Sequence, residues 1–159
     1  MQSVLILVDV QNVYYTTRQA FGCHFDYNQF WAQATANRQV VNAFAYATDG
    51  GDEKQRQFQN ILRGIGFEVK LKPYIRRADG SAKGDWDVGI TIDALEYGRD
   101  VDVVILLSGD GDFAILAHHL RDKYGVEVEV YGVAELTAKA LVDSANRYVA
   151  VDDPLLLRR

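Results

Sequence analysis

The chain has little of the chemistry that disulfides and soft-metal sites require. Its 159 residues include one cysteine, Cys23, and three histidines. A lone cysteine excludes an internal disulfide and a zinc site built from cysteine pairs. His118 and His119 are adjacent in the sequence rather than one helical turn apart, which is not the spacing of a two-histidine metal site. We interpret Cys23 as a partly buried structural thiol.

Long apolar runs are also absent. The N-terminal apolar stretch has no basic residue before it and no small-residue cleavage site after it, and Asp9 interrupts it too early for a membrane span. We therefore expect a cytoplasmic protein with no membrane partner. The formal net charge of −5 argues against coating of the whole surface by nucleic acid, although a local basic patch could still bind phosphate.

What is present is a regular alternation of apolar strands and amphipathic helices, which is typical of βαβ units and a mainly parallel sheet. An apolar fraction of 48% is enough for one core between helix layers. We predict an α/β domain over residues 1–152, with helices on both faces of the sheet, and a tail at 153–159. The predicted strands are near 3–9, 39–47, 67–72, 102–108, 126–131 and 148–151. The predicted helices are near 12–21, 27–37, 52–65, 86–98, 111–124 and 134–146. The tail leucines at 155–157 could cover this chain or dock on a second copy in a homo-oligomer.

Acidic residues follow the apolar strands or begin the helices. Asp9 ends the first strand, Asp87 begins a helix, and Asp110 and Asp112 follow the strand predicted at 102–108. Open α/β sheets gather their ligand-binding groups outside the carboxyl ends of their strands. Because clustered carboxylates repel one another, a cluster there predicts a divalent cation, Mg²⁺ or Mn²⁺.

Each of these acids has an ordinary structural alternative. We expect Asp85 to be the N-cap of its helix, with Asp87 in the first turn, and either Asp110 or Asp112 could cap the next one. Asp9 has no such role if the first helix begins near Asn12. The amide of Asn12 and the hydroxyl of Ser108 could orient the carboxylates or metal-bound water without adding charge. Asp93 lies roughly 120° around the helix from Asp87 and could support the site from one side.

The stretch Pro73–Asp85 is the one long irregular segment, and it is rich in basic residues. We expect its side chains, with Trp86 beside it, to contact a nucleic acid. Arg76, Arg77 and Lys83 would bind phosphates, and Tyr74 and Trp86 would stack on unpaired bases. Lys70 and Lys72 could instead protect the edge of the sheet from pairing with another strand.

Three motifs carry a resemblance to a known family. D-V-Q-N begins at Asp9, K-G-D-W-D-V runs from Lys83 to Val88, with Asp93 after it, and S-G-D-G-D-F runs from Ser108 to Phe113. In this order they resemble the NYN domain of the LabA-like group, which belongs to the PIN-like nuclease superfamily.

The resemblance implies a three-layer PIN-like, Rossmann-like fold and a metal-dependent ribonuclease. Its acidic site would be Asp9, Asp87 and Asp110, with Asn12, Asp93 and Asp112 as supporting or additional metal groups. A non-catalytic RNA- or protein-binding regulatory module of the same fold is the alternative.

Overall fold

The computed structural model describes residues 1–73, 75–76, 82–83 and 85–158, with backbone only at 73, 75–76 and 82–83. In chain order the elements are β1 (Gln2–Asp9), α1 (Val10–Phe21), β2 (His24–Phe25), α2 (Tyr27–Ala34), β3 (Arg38–Asp49), α3 (Glu53–Ile65), β4 (Glu68–Pro73), β5 (Ile75–Arg76), β6 (Ala82–Lys83), α4 (Asp87–Tyr97), β7 (Val103–Leu107), α5 (Ala114–Tyr124), β8 (Glu127–Gly132), α6 (Lys139–Ser144), β9 (Arg147–Ala150) and β10 (Leu156–Leu157). Short 3-10 turns cover 111–113, 134–136 and 153–155.

Six parallel strands form the central sheet in the order β4-β3-β1-β7-β8-β9. The chain builds outward from β1 to β3 and β4, then returns to the other side of β1 for β7, β8 and β9. The direction of growth therefore reverses between β1 and β7. This reversal opens a crevice at the carboxyl ends of the two strands, which is where ligands bind in such sheets.

Helices cover both faces of the sheet, which gives the predicted three layers. Val4, Ile6 and Val8 of β1 point into one core with α1, α2 and α3, and Leu5 and Leu7 point into a second core with α4, α5 and α6. Because β1 is buried on both faces, its sequence is a continuous apolar run rather than an alternating one. No helix in the described residues is long and apolar enough to cross a membrane.

Several predicted helix boundaries were wrong in ways that matter for the site. Helix α1 begins at Val10, directly after Asp9, and not near Asn12. Helix α4 begins at Asp87 itself, with Trp86 at the N-cap position, so Asp85 is not the cap that we expected. The S-G-D-G-D-F motif enters a 3-10 turn before α5 begins at Ala114.

The C-terminal tail and the stretch at 73–85 each contain a short paired strand. Leu155 and Leu156 are buried in the core on the α1–α3 side, and β10 pairs antiparallel with β2, so these two leucines cover their own chain. Within the stretch at 73–85, β5 and β6 form a short antiparallel hairpin, where we had expected irregular structure throughout.

Candidate active site

Three carboxylates meet at the crevice between β1 and β7. Asp9 is the last residue of β1, Asp87 is the first residue of α4, and Asp110 follows β7. Each offers one carboxylate oxygen, and these oxygens all lie within 4.8 Å of one another. Three separate elements thus bring like charges together, and Asp9 is buried while the other two are half-buried. Such an arrangement requires compensation by a proton or a cation.

The protonation of two of these groups reflects that repulsion. Burial is the main cause that raises the pKa of Asp9 to about 6, partly offset by the hydrogen bond from the Ser108 hydroxyl and by the nearby backbone amide of Asn12, with nearby Asp110 raising it further. Burial, followed by the charge of Asp110 and a hydrogen bond with it, raises the pKa of Asp87 to about 7. Both carboxyls therefore favour a proton or a bound cation over an isolated negative charge.

The donor set suits a hard divalent cation. Oδ1 of Asp87 is buried and has no hydrogen-bond partner within the described part of the chain. A buried polar oxygen without a partner is costly, and a ligand in the crevice would satisfy it. Oxygen ligands such as carboxylates are those that Mg²⁺ and Mn²⁺ prefer, and the cluster offers no nitrogen or sulfur ligand. Asp9, Asp87 and Asp110 could therefore hold a metal ion together.

Hydrogen bonds between the two strand ends fix the positions of the acids. The Ser108 hydroxyl donates to Oδ2 of Asp9 at 3.0 Å and accepts from the backbone N–H of Asp110 at 3.2 Å. Oδ1 of Asn12 accepts from the backbone N–H of Gly109 at 2.9 Å. The structure thus brings Asn12 and Ser108 to the acid cluster, and their hydrogen bonds join the β1–α1 junction to the loop after β7.

A close packing contact behind this loop was not recognised in the sequence. A Cβ added at Gly109 would lie 2.8 Å from the backbone oxygen of Leu136 and 3.1 Å from Oγ1 of Thr137. A Cβ at Gly132 would lie 2.4 Å from the same Thr137 oxygen. Gly109, the first glycine of S-G-D-G-D-F, indicates a close backbone approach, but nothing in the sequence indicates that residues 136–137 are its partner.

The other two predicted acids lie outside the three-carboxylate cluster. Asp112 is exposed, and its backbone N–H donates to Oδ1 of Asp110 at 2.9 Å. Asp93 accepts hydrogen bonds from the Tyr46 hydroxyl at 2.8 Å and from Nζ of Lys70 at 2.7 Å. The charge of Lys70 is therefore neutralised within the fold, which matches a structural role for this lysine on edge strand β4.

Trp86 is partly buried rather than fully presented to solvent. Its indole N–H donates to the Ala47 carbonyl at 2.8 Å, its ring lies 5.4 Å from that of Tyr46, and the Lys72 ammonium is 5.1 Å from its ring centre. The backbones of Arg76 and Lys83 lie in the β5–β6 hairpin. This hairpin follows the carboxyl end of β4, and the acids also lie where the parallel strands have their carboxyl ends. Tyr74 and Arg77, and the side chains of Arg76 and Lys83, lie outside what the structure describes.

Comparison with known proteins assigns the chain to a family. The family profile of the NYN domain matches residues 3–152. The chain belongs to the NYN domain family. It is 29% identical over 157 residues to the low amplitude and bright protein LabA of Synechococcus elongatus, covering 93% of this chain and 83% of that protein. The chain is also similar to a protein of unknown function from Vibrio parahaemolyticus whose crystal structure is known. The two sequences are 60% identical, the TM-score is 0.94, and the match covers 98% of this chain and 96% of that one.

Family and geometry agree on the general class of activity. The resemblance seen in the three motifs is confirmed, and so is the PIN-like three-layer fold. NYN domains are related to nucleic acids and belong to the PIN-like nuclease superfamily. Together with the aspartate cluster, membership of this family indicates a metal-dependent nuclease.

Proposed function

We propose that the protein is a metal-dependent ribonuclease that hydrolyses phosphodiester bonds of single-stranded RNA at Asp9, Asp87 and Asp110, with Mg²⁺ or Mn²⁺ as the cofactor. The observation that carries the proposal is the approach of three carboxylate oxygens to within 4.8 Å at the crevice between β1 and β7. The unpartnered buried oxygen of Asp87 supports it. A divalent cation held there would activate water for in-line attack and stabilise the leaving oxygen.

The residues around the cluster would then have distinct positioning tasks. Ser108 orients the carboxylate of Asp9, and Asn12 holds the loop that carries Asp110. Neither adds negative charge to the site. All three histidines are exposed and separate from the cluster, so none of them is placed to act as a base. Asp112, exposed beside Asp110, would act through water rather than as a direct ligand.

We place the RNA over the β5–β6 hairpin. Arg76, Arg77 and Lys83 would contact phosphates, and Tyr74 and Trp86 would contact bases. The position of the hairpin at the carboxyl edge of the sheet supports this path. Such a local basic segment would let a chain of net charge −5 bind a polyanion. A ribonuclease acting on cellular RNA would work in the cytoplasm, which is the location we propose.

The test is cleavage of a fluorescent single-stranded RNA by purified protein with Mg²⁺, with Mn²⁺, or with a chelator. We expect cleavage only with metal, and its loss in Asp110→Asn, because the amide keeps the shape of the side chain and removes a negative charge from the cluster. Asp122→Asn, which alters an exposed aspartate on α5, is the matched control and should cleave like the wild type. RNA binding without metal-dependent cleavage would instead support the non-catalytic regulatory module.

A further inference from the structure

Helix α1 carries an exposed aromatic surface that the acid cluster does not use. Tyr14 and Tyr15 are 41% and 59% exposed, and Arg18 and His24 beside them are exposed too. We call these four residues the α1 aromatic face. Single exposed apolar residues are common on protein surfaces, but adjoining rings with a cation are a feature of nucleic-acid-binding surfaces.

The rings of this face form a row. The centroids of Tyr14 and Tyr15 are 5.3 Å apart with the planes at 78°, and those of Tyr14 and His24 are 6.0 Å apart at 30°. Nη1 of Arg18 donates to the Tyr14 hydroxyl at 2.8 Å, and its guanidinium lies 5.9 Å from the same ring. Arg18 thus holds Tyr14 in place while its positive charge stays at the surface.

The helix that carries this row starts at the acid cluster. Asp9 directly precedes α1, and Asn12 in its first turn contacts the loop that carries Asp110. At about 1.5 Å per residue, Tyr15 lies only about 9 Å from Asp9 along the helix axis, and it is about 60° around the helix from Asn12. Around the helix, Tyr15 is the nearer of the two tyrosines to Asn12, because Tyr14 lies about 160° from it.

The local charge also differs from that of the whole chain. Between Asp9 and Asp26 the sequence has no acidic residue, and it includes Arg18, whereas the chain as a whole has 22 acidic residues and a net charge of −5. An anionic ligand would therefore meet no acidic side chain on helix α1 itself. A single-stranded nucleic acid is a polyanion with unpaired bases, so it matches both the charge and the aromatic row.

We propose that the α1 aromatic face is a base-stacking site for single-stranded RNA, with Tyr15 binding the base nearest to the scissile phosphate. This inference rests on the proposed ribonuclease function and adds, on helix α1, an RNA contact separate from that of the β5–β6 hairpin. Stacking on tyrosine tolerates any base, so the site would add affinity without sequence preference.

The experiment measures binding of a fluorescein-labelled oligouridine and of an abasic oligomer of equal length, by anisotropy, in the Asp110→Asn background to prevent cleavage. In that background we add Tyr15→Ala, Tyr15→Phe or Tyr97→Ala. Tyr97 is a matched control because it is 39% exposed and lies about 15 Å from Asp87 along α4.

We expect Tyr15→Ala to weaken oligouridine binding about 5- to 150-fold, the range for one lost base stack. Its affinity for the abasic oligomer should not change, and Tyr15→Phe and Tyr97→Ala should bind both oligomers like the parent.

Equal binding of oligouridine by the parent, Tyr15→Ala and a Tyr14→Ala/Tyr15→Ala double variant would overturn this inference alone. Failure of the wild-type protein itself to bind RNA would overturn the proposed function as well. A change of sedimentation in the double variant with unchanged RNA affinity would assign the face to a second copy of the chain and contradict our proposal.

Discussion

Replacement of Asp9 by asparagine should stabilise the metal-free protein at neutral pH. The pKa of Asp9 is raised from 3.8 to about 6 in the folded protein, mainly by burial. Between these values the folded state binds more protons than the unfolded state, so the free energy of unfolding falls as pH rises through this window. Above about pH 6 the full cost of a buried charged carboxylate is present, and Asp9→Asn removes it.

The expected size follows from the shift. About two pKa units at 1.36 kcal/mol each give an upper bound of about 3 kcal/mol of stabilisation at pH 7. For a chain of this length that corresponds to an increase in Tm of about 6 to 12 °C. The asparagine oxygen can still accept the hydrogen bond from Ser108, so the loss of that hydrogen bond does not offset the gain in stability.

The assay is thermal or denaturant unfolding of wild type and Asp9→Asn from pH 3.5 to 8 in chelator. The difference in the free energy of unfolding should grow between about pH 4 and 6 and then stay constant. Asp122→Asn is the control, and its difference from wild type should stay within about 0.5 kcal/mol. A flat difference for Asp9→Asn would refute the assignment of a costly buried charge.

The same pair of proteins tests the cation. Adding Mg²⁺ or Mn²⁺ should stabilise wild type by about 1.4 kcal/mol at ten times the dissociation constant, because the ion binds only the folded cluster. Asp9→Asn should gain less, so the two unfolding curves should approach each other. Equal stabilisation of both proteins by the ion would place the metal elsewhere.

Two further predictions concern the packing around the site. Gly109→Ala should lower Tm and abolish RNA cleavage, because its Cβ would meet a backbone oxygen at 2.8 Å, whereas Gly64→Ala, with nothing within 4 Å, should stabilise helix α3 by about 0.5 to 1 kcal/mol. Equal Tm values for the two variants would contradict the predicted contact. Lys70→Met should lower stability by on the order of 1 to 2 kcal/mol, because Asp93 loses its half-buried partner, while the salt dependence of RNA binding stays that of the wild type. A smaller salt slope would show that Lys70 binds phosphate.

Much of the fold could be predicted from the sequence because its signals are local. Buried parallel strands such as β1 are continuous apolar runs, and glycines such as Gly125 end helices in the left-handed conformation. Helix starts were less predictable. Asp85, Trp86 and Asp87 could each precede a helix, and the structure begins α4 at Asp87 without a side-chain cap. The expectation that Asp85 caps α4 failed because Trp86 occupies the N-cap position and Asp85 lies one residue before it.

The acidic site was predictable as a set of strand ends and helix starts but not as a set of distances. Asp110 and Asp112 are equivalent in the sequence, and only the 3-10 turn at 111–113 leaves one in the cluster and the other exposed. Asp93 belongs to a motif, yet Tyr46 and Lys70 from two neighbouring strands bind it. Contacts between elements far apart in the chain decide such roles, and spacing along one helix does not contain them.

The cost of the cluster is itself an argument about what it binds. Asp9 and Asp87 both have a raised pKa, and neither has a basic partner among the described ion pairs, although the chain places Lys70 and Lys72 on the nearby strand β4. Lys70 is bonded to Asp93 and Lys72 to the carbonyl of Asp85, so these cations lie beside the crevice without neutralising it. A fold that needed the acids only for structure would gain by pairing them. Leaving them unpaired at the reversal point of the sheet is what a site for an exchangeable cation requires.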